Sequence, residues 1–345
     1  MEKVLSKADF YKLFFFDLRT KYEVIGPTNK GGATSTYSFT TFDYVDRAID
    51  LEMDYKSNML SHKRIYFPDN QLLYKYKREG QNVKLKDLRE VWEQKRVIIG
   101  LRPCDIEAIS RLDRVLMGNR FVDLHYQDKR RKSIIIGLTC NEPQRRCFCA
   151  SLGSGPDIEK GYDLLMTDIG DNYFFRAGTD LGKELVTAGY FRDATTQDSE
   201  RRDANLKKIE EGLVDKVDVA KVVSVMADKY NDELWDEFST KCFTCGACNM
   251  ICPTCHCFTV NDKTSVDGDQ GTRVIVWDPC HFARFAQMAG NFNLREEKSS
   301  RFKHRIYDKF YYSARRYGTV SCVGCGRCME FCPSHIDIRD ALRRL

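Results

Sequence analysis

Two stretches of this chain, CFTCGACNMICP from Cys242 to Pro253 and CVGCGRCMEFCP from Cys322 to Pro333, repeat the spacing CxxCxxCxxxCP. Three thiolates at two-residue gaps cap three irons of one cube only if the backbone coils tightly around it. The fourth Cys, just before Pro, points away and in two-cluster ferredoxins ligates the other motif's cluster. The spacing therefore predicts one [4Fe-4S] on Cys242, Cys245, Cys248 and Cys332, and a second on Cys322, Cys325, Cys328 and Cys252. Crossed ligation of this kind makes the two motifs one folding unit. Gly246 and Gly326 supply small residues where the backbone passes close to sulfur.

Other metal chemistry fits less well. CxxC pairs also mark zinc sites, but a third Cys at the next step and a CP ending are not what tetrahedral zinc needs. Cys252-Pro-Thr-Cys255-His256 matches the CxxCH attachment site of c-type haem, yet that use would consume Cys252. The N-terminal stretch MEKVLSKADFYKLFFFDL has no small-residue cleavage site. No apolar run approaches the roughly 18 residues of a bilayer span. A cytoplasmic chain that does not span a membrane is expected, its fifteen cysteines serving metal rather than disulfides.

The formal charge of +5 counts every Cys as neutral. A cubane on four thiolates carries about −2, so three would bring the chain to about −1. The basic runs Arg201-Arg202, Lys129 to Lys132 and Lys303-His304-Arg305 are short, scattered and without interleaved aromatics. They read as solvated faces, with a minority placed beside clusters, and no nucleic-acid partner is expected.

At 345 residues the chain is long enough for two domains. The pattern predicts an α+β protein: a mixed α/β domain over residues 1–199, a helical connector over 200–240, and a mainly helical, ferredoxin-like two-cluster domain with a helical insert over 241–345. KRIYFP, QLLYKYK, VIIGL, SIIIGL, YDLLMTD and NYFFRA read as strands. VIIGL and SIIIGL are continuous apolar runs, as strands buried on both faces tend to be. Asp105 reads as the N-cap of a covering helix that carries Ile106, Ile109, Leu112, Val115 and Leu116. About seventy residues separate the two motifs, and Phe282, Phe285, Met288 and Phe302, Ile306, Phe310 suggest two helices there.

Four more cysteines follow the central strands. Cys104 comes three residues after VIIGL and Cys140 two residues after SIIIGL. Adjacent parallel strands would deliver both to the crevice where such sheets bind ligands. Cys147 and Cys149 lie close enough to fold back over that edge, so these four predict a third [4Fe-4S]. Cys255, Cys257 and Cys280 remain, with Cys280 read as the start of a helix. They read either as packing around the two clusters or as a three-thiol site completed by His256 or His281. His335 reads as a solvated residue or one that tunes a cluster, and Ile251, Phe331 and Ile336 as side chains that keep the cluster pair dry. No GxGxxG follows a strand and no GxxxxGK[ST] occurs, so neither flavin nor NAD(P) is assigned to this chain. No catalytic residue set is evident.

The order RPCDIEAISRLDRV, GLTCNEPQRRCFCASLG, CFTCGACNMICPTCHCF, VWDPCHFARFAQMAGNFN, CVGCGRCMEFCP resembles the iron-sulfur electron-transfer subunits typified by sulfhydrogenase beta subunits and by the corresponding subunits of anaerobic sulfite reductases. The likeness runs from about residue 60 to the end. It implies a relay of single electrons between an FAD-containing partner, linked to NAD(P)H or another carrier, and a catalytic subunit of NiFe hydrogenase, sulfite reductase or heterodisulfide reductase type. It also implies that Cys255, Cys257 and Cys280 have a role. Two other readings remain open at this point: a stand-alone enzyme with an open cluster near those three thiols, and a non-redox module that uses clusters for structure. The first sixty residues carry no motif.

Overall fold

The computed structural model describes residues 1–30, 40–89, 91–118 and 120–345. In chain order the strands are β1 (Glu2–Ser6), β2 (Glu23–Asn29), β3 (Thr40–Tyr44), β4 (Asn70–Glu79), β5 (Asn82–Asp87) and β6 (Arg96–Leu101). They continue with β7 (Ser133–Leu138), β8 (Leu164–Asp168), β9 (Asn172–Ala177), β10 (Arg192–Asp193), β11 (Phe258–Thr264) and β12 (Gln270–Trp277). Eight of them form one sheet in the order β10-β1-β9-β8-β7-β6-β2-β3, with β2, β6, β7 and β8 parallel. The chain is thus α+β, with helices and sheets together.

β6 and β7 are neighbours at the sheet centre, as their apolar runs predict. Val97 and Ile99 of β6 and Ile134, Ile136 and Leu138 of β7 enter the core on one face. Ile98, Leu101 and Ile135 enter the core on the other. The N-terminal residues complete this sheet: β1 pairs antiparallel with β9, and Phe10, Phe14 and Leu18, at helical spacing, cover the first face.

The other face is covered by the helix Pro103–Leu116, which buries Ile106, Ile109 and Leu112. Its N-cap is Arg102, not Asp105, because Pro103 fixes the first helical residue. Asp105 falls at the third helical position, where a carboxylate oxygen accepts the Arg102 amide at 3.4 Å.

Three further expectations change. KRIYFP is not a strand: Lys63–Tyr66 is a single helical turn, held by tertiary bonds from the buried Lys63. Phe282 lies in a bend, Phe285 and Cys280 in turns and Met288 in irregular backbone, none of them in a helix. The segment between the motifs instead opens with the hairpin β11–β12, which joins β4 and β5 in a second, antiparallel sheet of order β11-β12-β4-β5. Helix does fill the end of that segment. Lys298–Tyr307 runs through a π-turn at Asp308–Tyr312 into Ser313–Tyr317.

The second cysteine motif is pressed onto the carboxyl edge of the large sheet. Arg327 makes two bonds to the Asp105 carboxylate, at 2.6 and 3.0 Å, with both side chains buried. Arg111 donates to the Val320 carbonyl at 2.7 Å, and Phe148 N to the Gly324 carbonyl at 2.9 Å. A Cβ at Gly324, whose φ is +61°, would stand 2.7 Å from the Cys149 amide and the Phe148 carbonyl.

Two outcomes follow. Arg327→Met should destabilise the metal-loaded chain by roughly 3–5 kcal/mol, because it leaves Asp105 buried without its partner, while Asp105→Leu/Arg327→Met should recover most of the loss. Anaerobic thermal unfolding measures this, and equal losses in both variants would count against the pair. Gly324→Ala should separate the motif from the sheet edge, since left-handed backbone costs a residue with a Cβ about 1–2 kcal/mol and overpacking about 1–3 more. Wild-type melting and iron content in that variant would contradict this.

Candidate metal centre

The two C-terminal motifs fold alike. In each, the first cysteine accepts a backbone N–H two residues on, Thr244 N to Cys242 Sγ and Gly324 N to Cys322 Sγ, both at 3.4 Å. Thr244 and Gly324 both have positive φ, as do Gly246 and Gly326 at +74° and +73°. Short helices follow, Ala247–Met250 and Arg327–Glu330, and they pack against each other. Amide groups aimed at sulfur favour its anionic, metal-bound form.

Cys242, Cys245, Cys248 and Cys332 line one cavity together with Cys328, Arg305, Phe302 and Ile336. Cys252 stands close enough to Cys322, Cys325 and Cys328 for its charge to act on each. The structure thus brings together both crossed sets. Of the side chains expected to keep the pair dry, Ile251 and Ile336 are buried and Phe331 is half-buried. His335 is exposed, in left-handed backbone.

Cys104, Cys140, Cys147 and Cys149 line a second cavity with Arg102, Arg327 and Cys325. Strand ends deliver the first two, as the sheet edge predicts. Phe148, between the other two, is wholly buried in the C-terminal helical core, and this turns its neighbours toward the cavity. Cys147 Sγ lies 3.4 Å from the Cys325 carbonyl. The N-terminal thiols therefore adjoin the second motif, and Cys328 adjoins the first: the three sets form a row with shared walls.

Among the described residues no three His, Cys, Asp or Glu side chains close around one point tightly enough for a single ion. The cysteines stand around cavities.

Burial raises the pKa of Cys104, Cys140 and Cys147, takes Cys149 and Cys322 to about 12 and Cys325 to about 11. A metal group bound there would have to displace these protons. Burial also raises Cys252, but Lys309 and Arg305 outweigh it and hold the thiol at about 7.

Those cations are what the sequence concealed. Arg301, Arg305 and Lys309 recur every fourth residue on one helical face, and all three are buried. Arg305, in one of the basic runs read as mostly solvated with a minority beside clusters, belongs to that minority and faces Cys248, Cys328, Cys252 and Cys280. Among the described residues no carboxylate pairs with it, and its Nη1 finds no acceptor. Lys309 Nζ donates to the Thr254 carbonyl and hydroxyl at 3.0 and 3.1 Å. The only signal of this face in the sequence is its period of four alongside Phe302 and Ile306. A buried charge needs a counter-charge, and anionic metal–thiolate groups would supply one here.

Comparison with known proteins agrees with this geometry. A family model described as a 4Fe-4S dicluster domain matches residues 241–336. The sulfhydrogenase 2 subunit beta of Pyrococcus furiosus is 31% identical to this chain over 99% of both proteins. No solved structure matches. With two cysteine motifs that enclose one shared core and a relative aligned end to end, the chain belongs to the sulfhydrogenase beta-subunit family and carries a 4Fe-4S dicluster domain.

Proposed function

We propose that this chain is the electron-transfer subunit of a cytoplasmic redox complex and relays single electrons through three [4Fe-4S] clusters. Cys242, Cys245, Cys248 and Cys332 would hold the first, Cys322, Cys325, Cys328 and Cys252 the second, and Cys104, Cys140, Cys147 and Cys149 the third. When bound, such clusters take and release one electron at a time over potentials of roughly −700 to +450 mV. The observation that carries the reading is the row of shared walls. Cys325 lines the third set's cavity, and Cys328 lines the first set's.

This chain's residues supply the electrostatic setting. Arg102 and Arg327 flank the N-terminal cavity. Arg305 stands between the two C-terminal sets, where its positive charge favours the reduced state of both. Buried apolar groups, Phe302, Ile336 and Phe148 among them, exclude water that would otherwise screen these charges. At the far end of the row Cys245 is exposed beside Phe243, 69% exposed, which offers a partner close approach to the first set. A flavoprotein linked to NAD(P)H or another carrier would meet the relay at one end. A catalytic subunit, of hydrogenase type as the relative's name suggests or of sulfite or heterodisulfide reductase type, would meet it at the other.

The purified chain should show reducible [4Fe-4S] signals by electron paramagnetic resonance, yet oxidise no NAD(P)H without a partner; robust turnover by the chain alone would overturn the relay. Arg305→Met should make the adjoining potentials more negative by about 60 mV, the one-electron equivalent of a tenfold change. The sign follows because reduction adds negative charge and the variant removes the cation that stabilises it. A redox titration that finds no negative shift would remove Arg305 from this role.

A further inference from the structure

Three cysteines are not absorbed by the relay, and the fold brings them together. Cys257 immediately precedes β11 and Cys280 follows β12 by three residues, so the pairing of Phe258 with Trp277 closes the hairpin beneath both. The Asp278 amide donates to the Cys257 carbonyl at 3.1 Å and holds the two ends side by side. Cys255 reaches the same point from the end of the first motif, close enough for its charge to act on both Cys257 and Cys280.

The surroundings suit anionic sulfur. The buried Asn249 turns its amide group toward two of the three thiols, with Nδ2 3.0 Å from Cys280 Sγ and 3.8 Å from Cys255 Sγ. Its Oδ1 faces Cys248 Sγ at 3.3 Å. Lys63, 1% exposed, lies over the Trp277 ring and donates to the carbonyls of Cys255 and Asn249 at 3.0 and 3.3 Å. Lys63 and Lys309 both act on Cys255, and Arg305 acts on Cys280. Arg305 and Lys309 also face cysteines of the relay, whereas Lys63 faces Cys255 before any other thiol, so it is the cation that three neutral packing thiols would leave without a counter-charge. Among the described residues none of the three cations has a carboxylate within ion-pair distance. His281 Nδ1 lies 3.8 Å from Cys280 Sγ and 4.0 Å from Cys248 Sγ, between this group and the first motif.

We infer that Cys255, Cys257 and Cys280 hold a fourth iron-sulfur cluster, a [4Fe-4S] core with three thiolate ligands and a fourth iron bound by a donor other than cysteine. A single zinc ion on the same thiols would add nothing to the iron count, which the test below reads directly. The site adjoins the relay through Asn249 and His281 but does not depend on it.

The test uses the full chain, loaded with iron and sulfide under anaerobic conditions. Wild type should bind about sixteen irons, four for each cubane. Its Mössbauer spectrum should contain one iron subsite outside the envelope of sulfur-only coordination. Cys255→Ala/Cys280→Ala should lose about a quarter of the iron and that subsite. Wild type that saturates at about twelve irons without the distinct subsite would overturn the fourth site, whether or not the variant folds, and would leave the three-cluster relay standing. Failure of the relay reads differently: Cys104→Ala would then retain all of its iron.

Discussion

The bidentate contact between Asp105 and Arg327 couples the two halves of this protein through a pair of buried charges. The residues are 222 positions apart and fully buried, and each sits one residue from a cysteine, Cys104 and Cys328. Isolated, either charge would be expelled from so dry a place. Paired, they set the distance between the edge of the parallel sheet and the second cysteine motif. Burial by itself would raise the Asp105 carboxyl, but the guanidinium outweighs it and pulls the group below the usual carboxylate range, and His62 Nδ1, 3.3 Å away, acts in the same direction. The pair therefore stays charged at neutral pH. Its contribution is present above the ordinary carboxylate pKa and would fade only as pH fell through the depressed one.

Around this joint the thiols and the buried cations form one electrostatic system. Arginine lines both cavities, and the lysines stand beside the three remaining cysteines. A row of anionic centres at close quarters would repel any added electron. Fixed positive charge placed between them lowers that penalty without moving atoms, because helix and sheet backbone already hold each cation in position. The π-turn at Asp308–Tyr312 belongs to this arrangement, since the extra residue there rotates the helix between Arg305 and the segment that follows.

Much of the site is legible from spacing alone. Each CxxCxxCxxxCP run encodes its own coil, and the apolar runs before Cys104 and Cys140 announce buried neighbours whose ends must coincide. What stays hidden depends on partners remote in sequence. Lys63 looks like the start of a strand because KRIYFP has β-rich composition; its contacts lie 186 and 192 positions away. Arg305 and Lys309 look like surface charge, since burial of a cation is legible only once its anion is known. The hairpin β11–β12 escapes notice because β4, which it pairs with, lies nearly two hundred residues earlier, while the aromatic spacing of Phe282 and Phe285 mimics a helical period. The strand at the N-terminus is similarly invisible without β9 beside it.

The paired motifs differ at one telling position. Thr244 and Gly324 occupy equivalent left-handed turns, yet only Gly324 faces the backbone of Phe148 and Cys149. A twofold-related device with two equivalent ends has no direction of its own. Here one end is sealed against the sheet, where no side chain fits, and the other keeps a threonine beside exposed Cys245 and Phe243. That broken symmetry gives the motif pair polarity: one side is packed against the sheet and its thiols, and the other is open at Cys245 and Phe243 to whatever docks.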